Sequence, residues 1–229
     1  LDIFHHRYLE LFYRAWAQGQ PTVNLDRGTQ DRFAVYVGAL FGLAGEQLRQ
    51  RDDVADYGKL FYAGVLAGQV RNRDGLTALL SGYVGVQIRM EEFVGHWMAL
   101  PAREPTRLGD RKENAALGKG TVLGARVWDS QSKIRLWFGP LTLAQYEGFL
   151  PGGLALKRLV AWMRQYFCFE LDWDVRLVLQ QAQIPRTALG RYGRLGWTSW
   201  LGSAAGRTHA ADLTLDAERH MAERRETRH

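Results

Sequence analysis

Apolar positions in the N-terminal part of the chain recur with the period of a helix. Phe4, Tyr8, Leu11, Phe12 and Ala15 fall on one stripe, which predicts a helix over residues 4–16. Pro21 sits in a polar break, and Asp26 or Thr29 is a candidate N-cap for the next helix. There Phe33, Tyr36, Val37, Leu40 and Phe41 follow the i, i+3, i+4, i+7, i+8 pattern of one apolar face. A third helical stretch around 57–69 brings Ala63, Gly64, Ala67 and Gly68 close together. Side chains that small let another backbone approach, as in a helix packed within a bundle; a well-packed internal helix is the plainer reading.

From Asp74, a plausible N-cap, the period stays helical through Leu76, Leu79, Leu80 and Tyr83. It then switches to two, with Val86, Ile88 and Met90 alternating with Gln87 and Arg89, as in a half-buried strand. Residues 121–128 and 133–138 read as a hairpin around Asp129-Ser130-Gln131. Thr142 with Gln145 has capping-box spacing, and the short helix it starts stops at Pro151-Gly152-Gly153. A helix with Leu156, Leu159, Val160, Met163 and Phe167 on one face comes next. The strand after it has Phe169, Leu171, Trp173, Val175, Leu177 and Leu179 alternating with Glu170, Asp172, Asp174 and Arg176, broken only at Val178. From Ser203 the chain is rich in Arg, Glu and His and poor in large apolar residues. It is expected to lack a packed core and at most to form a short helix near 217–223.

The helix, strand and loop that begin near Gly75 recur near Gly153. A shift of 83 residues places Tyr83 on Tyr166, Val86 on Phe169, Ile88 on Leu171 and Met90 on Trp173. Leu-Gly pairs follow each strand, at 108–109, 117–118 and 123–124 and again at 189–190, 195–196 and 201–202. Self-similarity at a fixed period implies two copies of one supersecondary unit. The fold expected is α+β: a helical region over 1–73, a first repeat with loop and hairpin over 74–141, a second repeat with loop over 142–202, and a charged, flexible tail over 203–229. A chain that presents the same apolar loop twice reads as a connector more than as a catalyst.

Composition adds little to this picture. Of 229 residues, 46% are apolar and 24% charged, ordinary for a globular protein. The 25 glycines stand out because so many follow leucine, where they permit tight turns. The formal charge of +6 lies in the body, since 203–229 carries five Arg against five acids, and it permits an acidic partner without demanding nucleic acid. Cys168, the single cysteine, excludes an intramolecular disulfide framework and fits a reducing cytosol; between Phe167 and Phe169 it reads as a small buried hydrophobe. No apolar run approaches the ~18–20 residues of a membrane helix, and no signal peptide is visible. The first residue is not Met, as expected of a fragment of something longer.

Candidate chemistry is sparse. His5 and His6 point about 100° apart on a helix, which suits surface residues better than ligands of one ion. Glu92 and His96 read as an ion pair, or His96 as a core histidine beside Trp97. Asp172 and Asp174 share a strand face with Glu170, the pattern of a solvated face, with docking onto a basic partner as the sharper alternative. Neither a phosphate-cradling loop nor a nucleophile elbow is present. No enzyme, cofactor or metal is expected. Residues 186–200 combine Arg186, Arg191 and Arg194 with Tyr192, Trp197 and Trp200 and contain no acid. Such a segment could grip single-stranded nucleic acid. It also has the composition of a protein hot spot, a reading favoured by Leu189, Leu195 and Leu201 at regular six-residue spacing, while a third is that the tryptophans fill the protein's own core.

Several ordered segments resemble one family. FHHRYLELFYRAW at 4–16, FVGHWMALP at 93–101, RLG at 107–109, LGKGTVLGARVWDSQSKIRLWFGPL at 117–141, FLPGG at 149–153, LDWDV at 171–175 and RLGWTSWLG at 194–202 are similar to TssG, a baseplate subunit of the bacterial type VI secretion system. The resemblance covers 4 to about 202; a further N-terminal segment usual in that family has no counterpart here. It implies a non-enzymatic part of the wedge of a contractile, phage-tail-like baseplate. The implied partners are TssF, two copies per wedge, two trimers of TssK, the adaptor to the membrane complex, and TssE and other baseplate components. It places the protein in the cytoplasm, at a baseplate docked on the inner membrane. Combined with the repeat, it assigns one TssK loop to Leu108, Leu117, Leu123 and Trp128, and the other to Leu189, Leu195, Trp197, Trp200 and Leu201. Phe33, Tyr36, Leu40, Ala63, Gly64 and Ala67 are assigned to a core bundle with TssF. Neither nucleic acid nor membrane insertion is expected. The alternatives are a basic–aromatic module for single-stranded nucleic acid, and a phage-tail-like baseplate protein without TssK partners.

Overall fold

The computed structural model describes residues 2–26, 31–101, 106, 124–188, 190, 192–200 and 208–226. They form two compact units, Leu1–Tyr83 and Val84–His229.

The first unit is helical. It contains α1 (Asp2–Gln18), α2 (Pro21–Asp26), α3 (Arg32–Ala39), α4 (Asp56–Phe61), α5 (Ala63–Leu66) and α6 (Arg73–Val84), whose last residue opens the second unit. Pro21 begins α2 at the position where a missing N–H costs nothing. The cap of α3 is Asp31, whose Oδ1 accepts from the Ala34 amide at 3.0 Å; Asp26 instead ends α2, and Thr29 lies outside the described residues. The stretch expected as one helix over 57–69 is broken at Tyr62 into α4 and α5. The Tyr62 ring lies against Gly82 of α6, where a Cβ would come within 2.6 Å of its hydroxyl. Asp74 lies within the first turn of α6, and Asn72 serves as the cap by accepting from the Gly75 amide at 2.7 Å. Lys59, 2% exposed, is held by Asp52 at 2.7 Å and Asp56 at 3.6 Å, and these carboxylates also accept from the Val54 and Gln50 amides. A buried ammonium is tolerable only with such partners.

The second unit is built on a four-stranded sheet in the order β1-β4-β5-β6, from β1 (Ile88–Glu91), β4 (Lys133–Leu141), β5 (Asp172–Gln180) and β6 (His209–Leu215). A separate ribbon pairs β2 (His96–Ala99) with β3 (Arg126–Asp129). In the sheet β4 and β5 are parallel, while β1 and β6 run antiparallel to their neighbours. Parallel neighbours need a crossover. Here it consists of α7 (Leu143–Gly148) and α8 (Leu154–Phe167), and α9 (Ala217–Glu226) follows β6. The expected capping box at Thr142 and Gln145 is formed. Two rows of buried side chains cross the sheet in register, Met90–Leu136–Val175–Leu215 and Ile88–Phe138–Leu177, and α7 and α9 pack on β5. The α8 face expected at Leu156, Leu159, Val160, Met163 and Phe167 is buried.

The predicted hairpin between 121–128 and 133–138 does not form. Its turn is real, since the Asp129 carboxylate accepts from the Gln131 amide at 3.2 Å and the Ser132 amide at 3.0 Å. The turn passes the chain from ribbon to sheet: β3 pairs with β2, whereas β4 runs between β1 and β5. Burying Ile134, Leu136 and Phe138 in the centre of the sheet satisfies β4 better than an exposed ribbon would. The register shifts near Gly139, φ +131°, where a Cβ would lie 2.5 Å from the Val178 carbonyl oxygen. Only glycine fits that bulge.

Three further expectations are corrected. The described part of the tail, 208–226, does not lack a core: β6 pairs with β5, Ala210, Leu215 and Ala217 are buried, and the Arg164 Nε donates to Glu218 at 3.0 Å, tying α8 to α9; the expected short helix near 217–223 is present. Alanine carries so weak a burial signal that the charges around it hide the strand. Cys168 is exposed, because it sits at φ +55° where the chain leaves α8, and Phe169 beside it is exposed too, so neither belongs to the strand's buried face. Asp174 is buried, while Glu170 and Asp172 are exposed. Arg135, directly opposite on β4, donates to it from Nε at 2.6 Å and from its other guanidinium nitrogen at 2.9 Å, and Lys133 stands at 3.0 Å. Burial alone would raise the Asp174 carboxyl. The bonds from Arg135 and Lys133 outweigh it and hold the group below the ordinary aspartate value.

Candidate partner-docking surfaces

In the helical unit the apolar stripe predicted on the first helix is there, but it faces solvent. Phe4, Tyr8, Leu11 and Phe12 are exposed along α1, as are Ile3, Leu9, Tyr13 and Trp16, and Ala17 is the buried residue of this helix. Phe33, Tyr36 and Leu40 around α3 are exposed as well, whereas Ala63 is buried, Ala67 half-buried and Gly64 exposed. An apolar groove lined by Pro21, Leu25, Phe33, Val37, Tyr57 and Leu60 runs between α2, α3 and α4. Contiguous apolar surface of this extent marks an interaction site on a folded chain. Through Tyr83 the sequence holds nine basic and nine acidic residues, so the whole charge of +6 belongs to the second unit.

The second unit has two further exposed features. On the ribbon, the expected loop residue Trp128 stands edge-on to Trp97 at 5.5 Å between ring centroids, both exposed, with Phe93 exposed nearby in the chain. Leu108, Leu117 and Leu123 lie outside the described residues. The His96 Nε2 lies 3.4 Å from the Asp172 carboxylate at the start of β5.

The other feature is the turn at 193–198. Of its expected contact residues, Leu195 is fully presented to solvent, whereas Trp197 and Trp200 are half-buried. The Trp197 ring meets His220 of α9 at 5.5 Å and the Trp200 ring meets Tyr146 of α7 at 5.8 Å. Burial pushes the Tyr146 hydroxyl well above its ordinary value, so it remains a donor, to the Trp197 carbonyl at 3.1 Å. The Tyr192 hydroxyl donates to Glu147 at 2.7 Å; partial burial, then that bond, raises its pKa. Leu189 and Leu201 lie outside the described residues.

Among the described residues, no three His, Cys, Asp or Glu side chains are placed to hold a metal ion. His5 and His6 are exposed on α1, where Glu10 pairs with Arg14. Among the described residues, no helix is long and apolar enough to cross a membrane. Sequence reasoning missed Trp97, Phe93 and Leu9 as exposed apolar residues. Trp97 and Phe93 sit in and before a strand too short to show alternation, and Leu9 lies off the stripe of Phe4, Tyr8, Leu11, Phe12 and Ala15.

This architecture is shared with solved structures. With a TM-score of 0.74 and 23% identity, 95% of the chain superimposes on 90% of a chain in the TssK–TssF–TssG baseplate subcomplex of the type VI secretion system, solved by cryo-electron microscopy. With a TM-score of 0.65 and 23% identity, 93% of it superimposes on 61% of a chain in the baseplate complex from the type VI secretion system. No curated protein matches the sequence. The fold is therefore that of a chain in these baseplate assemblies. The model of the family described as type VI secretion, TssG, matches residues 1–202, and the protein belongs to the TssG family.

Proposed function

We propose that this protein is a structural, non-catalytic connector of a type VI secretion baseplate wedge. The helical unit joins TssF, and loops of the second unit engage TssK trimers. The observation that carries the reading is the aromatic surface of α1 and α3, left uncovered in a chain whose sheet strands bury their apolar rows. Family membership and the TssK–TssF–TssG assembly containing a chain of the same fold support these two partners. Phe33, Tyr36 and Leu40 are the contacts assigned to TssF, in a bundle that closes over Ala63, Gly64 and Ala67. The two TssK loops are 108–128 and 189–201, supported by exposed Trp128 and exposed Leu195. Through TssK the wedge docks at the inner membrane from the cytoplasm, with TssE as a further neighbour.

The nucleic-acid reading is weaker. Base stacking needs open aromatic faces, and Trp197 and Trp200 are turned onto His220 and Tyr146.

Co-expression with TssF and TssK from the same gene cluster, followed by size-exclusion chromatography and native mass spectrometry, tests the connector. The expected product contains one copy of this chain, two of TssF and TssK trimers. A chain that elutes alone overturns the reading, and one that holds TssF without TssK favours a phage-tail-like baseplate protein.

A further inference from the structure

We propose that the turn at 193–198 is a single-leucine plug, which inserts Leu195 into an apolar, carboxylate-rimmed socket on a protein partner. The inference rests on the TssK reading above and narrows it to one contact residue.

Leu195 is 91% exposed, more than any other large apolar side chain among the described residues. The turn beneath it is held firmly. The Trp197 and Thr198 amides each donate to the Arg194 carbonyl at 2.9 Å, and the Arg194 amide donates to the buried Thr198 hydroxyl at 2.9 Å. The Thr187 hydroxyl accepts from the Trp200 amide at 2.9 Å and donates to the Trp200 carbonyl at 3.1 Å. Gly193 at φ +120° and Gly196 at φ +76° set the two bends around Leu195 in backbone that other residues rarely adopt.

The two tryptophans therefore act as positioning residues. Their rings spend their apolar area on α7 and α9 and hold the turn, while Leu195 remains for the partner. A contact residue ordered before binding loses little entropy when it docks. The charge around it selects the partner's chemistry. Residues 184–200 contain three Arg and no acid, and Arg186 and Arg194 are exposed. Glu147, the carboxylate that Tyr192 meets, is already engaged. Electrostatic complementarity then calls for carboxylates around the socket. Nucleic acid would also answer the arginines, but a leucine tip offers no face on which a base can stack.

The test uses the full chain co-purified with TssF, to which purified TssK is titrated and followed by native mass spectrometry. Leu195→Asp is expected to lower the number of TssK trimers carried per chain by one, with TssF retention and thermal unfolding unchanged. Leu195→Ala weakens binding of that trimer at least about tenfold, since a buried leucine contributes about that much or more. The double variant Arg186→Glu, Arg194→Glu weakens it most at low salt. If wild type binds TssK and Leu195→Asp binds equally many trimers, the plug is overturned and the TssK reading stands. If wild type holds TssF but no TssK, that reading falls and the plug with it. Retention of a single-stranded oligonucleotide in place of TssK would reassign the turn to nucleic acid.

Discussion

Among the described residues of the second unit, Asp174 is the one buried carboxylate. It is 3% exposed and faces two cations, Arg135 and Lys133, that keep partial contact with water. Removing its charge takes the paired carboxylate from both cations, with Glu91 left as the nearer acid of Arg135. Asp174→Asn is expected to lose about 2–4 kcal/mol in urea unfolding, at or below the range for broken buried pairs because the cations keep some contact with water. A loss no larger than that of Asp172→Asn would contradict this. The acid limb gives the same answer independently. The folded carboxyl titrates below the unfolded one, so its contribution is complete above the unfolded value of about 4 and disappears as pH falls through the lower, folded value. Stability of wild type should drop below pH of about 4, and Asp174→Asn should flatten that drop.

At the scale of elements, the joint between α7 and α8 is the most constrained point of the crossover. A Cβ on Gly153 would lie 2.0 Å from the Gly148 carbonyl oxygen, and backbone cannot move aside as a side chain does. Gly153→Ala should cost about 1–3 kcal/mol, the range for overpacking, and more than the ~1 kcal/mol expected for loss of the cap in Thr142→Ala. Equal unfolding midpoints for the two variants would show that the joint relaxes. Both features were readable in advance, because capping boxes and Pro-Gly-Gly breaks depend on residues a few positions apart. The helices with strong period, α1, α3, α6 and α8, were equally readable. The pairing of β3 was not. Nothing in Arg126–Asp129 distinguishes β2, lying across the 102–123 connection, from β4 just after the turn as its partner.

For the whole molecule, two kinds of surface divide the work. The helical unit is neutral and shows aromatic faces, whereas the sheet unit is cationic and, among the described residues, has its large apolar side chains inside save those at the ribbon, Leu154, Phe169 and the turn at 193–198. The last strand and helix complete that inside. A chain ending at residue 207 would leave the edge of β5 unpaired and Arg164 without Glu218. It should be recovered mainly as aggregate, because an apolar strand with an open edge templates association. Soluble yield and a cooperative urea transition matching the full chain would refute this.

The sequence by itself determined the α+β class, the helical start, the helix-then-strand order in both halves, and the resemblance to TssG. Each is encoded locally, in periodicity, caps or ordered motifs. Only the tertiary structure decided that β6 belongs to the sheet, that Asp174 is buried against Arg135, and that Trp197 and Trp200 face inward while Leu195 faces out. These depend on which distant segment lies opposite, 39 residues away for Arg135 and 51 for Tyr146, and amphipathic pattern shows that a side chain wants cover without showing what covers it.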